Sequence, residues 1–213
     1  MEMIRTVAKA WNIPDIRKKI IFTLVMLLIF RIGSQIPVPG IDREILAQTF
    51  DSGTGLFALF NLFSGGAFSN FTIFALSITP YITASIILQL LTIAVPSLER
   101  LAKEGTEGRK KIAQYTRYLT VILAIIQAIG VSVGLFRQAL ISTSFFDVAV
   151  IVLVLTAGTA FLMWLGEQIN EYGIGNGISL IIFAGIVSRL PSAVQEIWTK
   201  LQDGSMSIVT LII

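Results

Sequence analysis

The sequence contains no cysteine and no histidine. Without thiols there can be no disulfide, no thiolate metal site and no cysteine nucleophile. Without imidazole there is no His-based triad and no histidine-ligated zinc. These two absences remove much of the enzyme repertoire, although they leave the redox compartment open. Charge is scarce as well: Asp, Glu, Lys and Arg make up 14% of the 213 residues, where a soluble domain carries roughly 25%. Apolar residues take their place, at 54% of the chain with a mean hydropathy of +0.82, a surface suited to lipid. The net charge of +3 and pI near 9.3 do not point to nucleic acid. The basic residues flank apolar runs, where they meet lipid headgroups and set topology.

A spanning helix needs about 20 mostly apolar residues. Candidate spans lie near residues 20–38, 71–95, 118–136, 148–166 and 176–195. The first carries Arg31, and the fifth is weakened by Arg189 and Pro191 near its far end; the spans between them hold no charge. Residues 1–19 read as a cytoplasmic N-terminal segment, 20–205 as one helical unit, and 206–213 as the start of a truncated sixth span. That ending predicts a fragment or a split chain. Lys18 and Lys19 before an apolar run resemble the start of a signal peptide, but no small-x-small cleavage pattern follows, which predicts a retained first span.

Orientation follows from counting Lys and Arg in alternate loops. Five precede the first span, six lie between residues 100 and 117, and the remaining five fall on or near the opposite side. The N-terminus is therefore expected in the cytoplasm. The turn holding Glu167 and Glu171 has no basic residue, a tolerable exception because acidic residues weigh little in the rule. With an odd number of spans, a similar following half is necessarily inverted, and inverted repeats commonly place a pathway at their interface. The expected fold class is an all-α membrane protein, a polytopic helical bundle of five transmembrane helices with a short re-entrant helix.

That short element is residues 56–71, LFALFNLFSGGAFSNF, too apolar for an ordinary loop. As a helix, residues 56–63 would reach only about 12 Å and cannot span. Gly65-Gly66 breaks it, and Ser69 or Asn70 can start the next helix. The segment is either re-entrant, surrounded by protein or a wet cavity, or an interfacial helix on the outer leaflet. Pro80 falls in the middle of the second span and is expected to bend it. Ile78 and Ile82, four apart, stack on one face, and Ile182 and Ile186 repeat the spacing. Such isoleucines ordinarily face lipid or pack a core. Ser77, Thr79, Thr83 and Ser85 either face water or bond back to the i−4 carbonyl. Arg31 would lie about 18 Å beyond Lys19 if helical. Either the helix ends early and Arg31 snorkels outward, which Gly33 and Pro37 favour, or it faces a wet interior.

Three glycine patterns invite over-reading. Gly173-x-Gly175-x-Gly177 joins two spans rather than a strand and a helix, so it reads as a tight turn with Asn176 capping the fifth helix. Gly105–Lys111 lacks P-loop spacing and reads as a solvated basic loop. Gly130-x-x-x-Gly134 is a signal for close helix packing.

The longer strings resemble the SecY family. They include Ile36-Pro37-Val38-Pro39-Gly40-Ile41-Asp42, Phe63-Ser64-Gly65-Gly66-Ala67 and the run from Ile73 to Ile86. Glu107-Gly108-Arg109 continuing to Tyr118, Met163 to Ile169, and Gly173 to Ser179 follow in order. The strings cover nearly the whole chain and look bacterial or plastid. The resemblance implies an hourglass channel with ten spans in two inverted halves, this chain being the first. By position Ile78, Ile82, Ile182 and Ile186 match the pore ring. Residues 56–70 match the plug, with Leu56, Phe57, Phe60, Leu62, Phe63, Gly65 and Gly66 as its principal residues. The second span matches one wall of the lateral gate, through Thr83, Ile86, Ile87, Gln89 and Leu90. The resemblance also implies SecE and SecG subunits, the SecA motor ATPase, the ribosome, signal sequences, unfolded polypeptides and membrane lipids as partners. It implies no direct nucleic-acid recognition beyond ribosome docking, no cofactor, no metal and no catalysis. The setting implied is the bacterial cytoplasmic membrane.

Physics accords with those assignments. Flexible aliphatic side chains can close round an extended chain without binding it, and they offer no fixed dipole to replace an ion's hydration shell. Among departures, the chain stops before the family's large cytoplasmic docking loops, and the polar Thr79 sits beside the ring. A secondary transporter half is the alternative, but such proteins place charges or unwound polar sites at the midplane, and spans two to four carry no Asp, Glu, Lys or Arg. An intramembrane protease would need a histidine base or membrane-embedded aspartates, and every aspartate lies outside the spans.

Overall fold

The computed structural model describes residues 13–42, 45, 61, 64–135, 137–140 and 144–202. Seven α-helices lie among them: α1 (Pro14–Gly33), α2 (Thr79–Ala94), α3 (Pro96–Lys103), α4 (Thr106–Ile129), α5 (Phe145–Tyr172), α6 (Gly177–Val187) and α7 (Leu190–Gln202). A π-helical turn, Gly130–Leu135, extends α4, and the extended pairings among the described residues are isolated bridges, Pro37 with Thr72 and Ile41 with Leu140. Among the described residues the fold is all-α, as the apolar runs of spanning length predict.

Helix α1 begins on Pro14, whose missing N–H costs nothing in a first turn, with Asp15 facing the positive end of the helix dipole. It closes at Gly33, where a side chain would run into the Phe74 ring. Arg31 therefore lies in its last turn. Beyond it, residues 36–38 run extended beside residues 71–73, joined by Val38 N–H to the Phe71 carbonyl and Ile73 N–H to the Ile36 carbonyl, both 3.0 Å.

Residues 64–78 contain no helix. They form successive turns, with positive φ at Gly65 and Gly66 and also at Phe71 (43°) and Ser77 (52°). Helix α2 therefore begins at Thr79, not at Ser69 or Asn70. Pro80 does not bend a span; it occupies the first turn, where helices accept proline readily. After Val95 the chain bends by 101° into α3, a short helix with Arg100 and Lys103 in its last turn. Most of Gly105–Lys111 is not loop, since α4 starts at Thr106.

Among the described residues, Thr106–Gly134, Phe145–Tyr172 and Gly177–Gln195 are long and apolar enough to cross a membrane, and α2 with α3 adds a fourth if that bent pair is one span. Five spans were expected. The apolar part of α1 is bounded by Lys19 and Arg31, and α2 itself has only 16 residues.

Helix α5 is the central post. Ile151 and Leu155 join Val38, Phe68, Phe71 and Ala128 in one apolar cluster. About two to four turns on, Leu162, Leu165 and Ile169 join Phe30, Phe74, Ile78 and Ile181 in another. Helix α4 lies against both α2 and α5 and buries small residues, Thr116, Thr120, Ala124 and Ala128, while Gly108 at its start lies against Leu101 of α3. The Thr116 and Thr120 hydroxyls donate to the Ile112 and Thr116 carbonyls at 3.0 and 2.7 Å, so they pack as small apolar groups. Gly130 and Gly134 make no close approach: a Cβ on either would meet open space. The tight contacts fall instead at Gly158, which lies against the Ile73 carbonyl, and at Gly177, against the Gly166 carbonyl.

Candidate functional site

The Gly173–Gly177 turn reverses the chain from α5 into α6. Asn176 caps α6, its Oδ1 accepting from the Ser179 N–H at 3.1 Å, and Gly175 takes φ +78°. A second amide, Gly177 N–H, donates to Asn170 Oδ1 at 2.7 Å. Thr23 on α1 holds the same turn, its hydroxyl accepting from Ile174 N–H at 3.1 Å. This corner sets the direction in which α6 re-enters the bundle beside α1 and α5.

The isoleucine pairs are placed unequally. Ile78 is only 1% exposed and packs in one cluster with Phe30, Leu162 and Ile181, whereas Ile82 is 36% exposed. The two thus differ in surroundings although they lie one helical turn apart. Ile78 precedes the first helical residue, although its carbonyl still accepts from Ile82 N–H at 3.1 Å. Ile182 and Ile186 are half-buried and belong to neither apolar cluster; α6 turns the Ile181 face to the core. Ile82, Ile182 and Ile186 thus keep open surface while their helices are anchored by neighbouring residues.

The residues expected at a lateral gate lie on the outward side of α2. Ile86, Gln89 and Leu90 are exposed, Thr83 and Ile87 are half-buried, and Ala84 and Leu88 form the buried face. Thr83 donates to the Thr79 carbonyl at 3.0 Å, which hides its polarity from that surface. With Ile82 and Ile93, the outward side forms an apolar strip running the length of α2.

Of the residues expected to form a plug, Leu56, Phe57, Phe60, Leu62 and Phe63 lie outside the described residues. Gly65 and Gly66 are described and buried. Gly65 sits at φ +63° so close to α6 that a Cβ would fall 2.9 Å from the Gly185 backbone. Gly66, at φ +91°, lies under the Arg189 guanidinium, 3.0 Å from where its Cβ would be. Only glycine tolerates both this backbone and this proximity. Asn61 ties the turn from the other side. Its carbonyl accepts from Gly66 N–H at 3.0 Å, and its side chain accepts from Ser69 N–H at 3.1 Å.

Sequence reasoning missed the polar frame round this turn. Arg31 Nη1 donates to the Gly65 carbonyl at 3.3 Å and to Ser188 Oγ at 3.2 Å, and Arg189 Nη2 to Ser69 Oγ at 3.5 Å. Arg31 drew notice only as a costly charge, and Ser188 not at all. Also missed was the Arg117–Glu167 ion pair, 2.7 Å between α4 and α5. Both residues border the uncharged runs, yet both helices extend past them. Among the described residues no three Asp or Glu side chains converge as metal ligands would.

Comparison with known proteins follows the same lines. Residues 72–213 match the SecY family model. The chain is 53% identical over 206 residues to the protein translocase subunit SecY of Halalkalibacterium halodurans, covering 94% of this chain and 47% of that protein. To the Bacillus subtilis protein of the same name it is 53% identical over 208 residues, covering 95% and 48%. To that of Escherichia coli it is 48% identical over 208 residues, covering 95% and 47%. The chain thus spans about half the length of the curated relatives it matches. Among solved structures it resembles a protein conducting channel, with a TM-score of 0.63 at 21% identity, covering 91% of this chain and 43% of that one. It also resembles Sec61 in a canine ribosome-channel complex, with a TM-score of 0.63 at 20% identity, covering 91% and 43%. These structural likenesses carry the fold.

Proposed function

The chain belongs to the SecY family, and from that premise we propose that it supplies the first half of a protein-conducting channel. In this reading it passes unfolded polypeptides across the membrane and releases signal sequences and membrane helices sideways into lipid. The observation that carries it is the set of aliphatic side chains, Ile82, Ile182 and Ile186, left open on helices otherwise anchored in the core. Branched hydrocarbon offers an extended chain nothing to stick to and offers ions no ligands, so a narrow collar of it passes one and resists the other. Ile78 belongs to the same ring as its inner support, packed with Ala67, Phe74, Leu162 and Ile181. The apolar strip on α2 forms one wall of the lateral gate. Residues 56–70 form the plug, which the Gly65-Gly66 turn attaches to the rest.

The same reading places the chain in the bacterial cytoplasmic membrane as a multi-pass protein of five spans with a cytoplasmic N-terminus. Basic residues then mark the cytoplasmic side at the start of α1 and from α3 into α4. An inverted second half completes the pore, with SecE and SecG as companion subunits. The subunit makes and breaks no bond, so energy comes from the SecA motor or a translating ribosome. Signal-sequence binding shifts the closed–open balance only by its preference for the open form.

Crosslinking a stalled translocating polypeptide in the full-length channel tests this. Cysteines replacing Ile82, Ile182 and Ile186 are expected to capture it, whereas cysteines at Ile122 and Ile126, exposed on α4, are not. Equal capture at both sets would overturn the reading.

A further inference from the structure

Arg31 and Arg189 sit at the ends of α1 and α6, far apart in sequence, and both reach the same turn. Neither forms an ion pair among the described residues; the ion pairs there are Lys103–Glu99 and Arg117–Glu167. Their guanidinium groups are spent on neutral acceptors. Arg31 bridges two elements with one nitrogen, donating at 3.3 Å to the Gly65 carbonyl and at 3.2 Å to Ser188 Oγ. Ser188 in turn donates to the Gly185 carbonyl at 2.7 Å, which holds it at the end of α6. Arg189 lies over Gly66 and reaches Ser69 Oγ at 3.5 Å.

Charge-assisted bonds to a backbone carbonyl are stronger than neutral ones, and Arg31 makes its bonds from an exposed side chain, Arg189 from a half-buried one. Placing both arginines at one glycine turn has a mechanical sense. The turn rests on α6 backbone to backbone, with no side chain of its own to reach across, and the arginines add polar bonds over that contact. The bonds are few and long enough to break without disturbing either helix.

We propose that Arg31 and Arg189 are positioning residues forming a clasp that holds the Gly65-Gly66 turn to the end of α6, and so set how readily the plug leaves its seat. Arg31 carries the larger share, because it bridges both elements. The proposal rests on the reading of residues 56–70 as the plug.

The test uses the complete channel with its partner subunits in planar bilayers, reading ion leak, together with thermal stability of the same preparations. Arg31→Gln is expected to raise leak several-fold at an unchanged unfolding midpoint. Arg31→Lys should give an intermediate value, since one donor group is kept without its fork, and Arg189→Gln a smaller rise. Ser64→Cys, nearly isosteric at a buried site, supplies a second readout: impermeant maleimide should label it faster in the Arg31→Gln background. A channel lacking residues 57–67 serves as reference. If that deletion raises leak while Arg31→Gln changes neither leak nor labelling, the clasp is overturned and the plug reading stands. Should the deletion leave leak unchanged, the plug reading fails and the clasp with it. A rise in leak matched by a fall in midpoint would show general loosening and also overturn the clasp.

Discussion

Glycine contacts permit a stability test whose sign changes from site to site. Alanine at Gly158 would drive its Cβ into the Ile73 carbonyl, and at Gly177 into the Gly166 carbonyl; in both cases the obstacle is backbone. At Gly166 the obstacle is the Ile178 Cδ1 atom at 2.5 Å, the free end of a flexible side chain. At Gly130 and Gly134 nothing lies within 4 Å. Overpacking by one methyl group costs typically about 1–3 kcal/mol, with the upper end expected where backbone must shift. Against this, replacing glycine by alanine within a helix gains about 0.5–1 kcal/mol. The net expectation is a loss of roughly 2 kcal/mol at Gly158 and Gly177, a loss under about 1 kcal/mol at Gly166, and a small gain at Gly130 and Gly134. Detergent-solubilised membrane proteins often unfold irreversibly, so the observable is the rank order of apparent midpoints at one scan rate. Monodisperse protein surviving a temperature series provides it. If Gly130→Ala and Gly134→Ala lower the midpoint as far as Gly158→Ala and Gly177→Ala, the reasoning from local space is refuted.

Further outcomes can be measured on the same preparations. Asn176→Ala removes the acceptor for Ser179 N–H and should cost about 1 kcal/mol, with Asn176→Asp recovering most of it. Thr159 is buried and its hydroxyl has no partner. Thr159→Val should therefore be neutral or stabilising, because an apolar group of the same shape escapes the cost of an unmade bond. The Arg117–Glu167 pair is half-exposed on its arginine side, so a double-mutant cycle with Arg117→Gln and Glu167→Gln should give a coupling near 0.5 kcal/mol. Values above about 2 kcal/mol would mean the pair is far drier than its exposure implies.

What was legible in the sequence was whatever local pattern decides. Helices α4 and α5 announce themselves by long uncharged runs, and Asn176 by its place before an apolar segment. Pro80 misled because proline inside an apolar run has two meanings, a kink or a beginning. The choice between them rests on left-handed backbone at Phe71 and Ser77 and on bridges to residues 36–38, none of which is visible locally. The GxxxG pattern misled for a related reason. Which side of α4 meets a neighbour depends on its rotation, and here the small residues from Gly108 to Ala128 face inward while Gly130 and Gly134 enter a π-helical turn. The clasp was least legible of all. Arg31 reaches Gly65 and Ser188 across 34 and 157 residues, and no window of sequence contains that relation.

The file of small residues along α4 has a mechanical consequence. Backbones brought that near leave no slack for rolling: turning α2 about its own axis would lift Ala84 and Leu88 out of contact and press Ile86 or Gln89 into a space made for them. Helices α2, α4 and α5 must therefore travel together, like planks nailed edge to edge. Give is left to the unwound run before Thr79 and to the right-angled corner at Val95. How far this group of helices can shift then depends on the reach of those two joints, and softening the wall between them would gain the protein nothing.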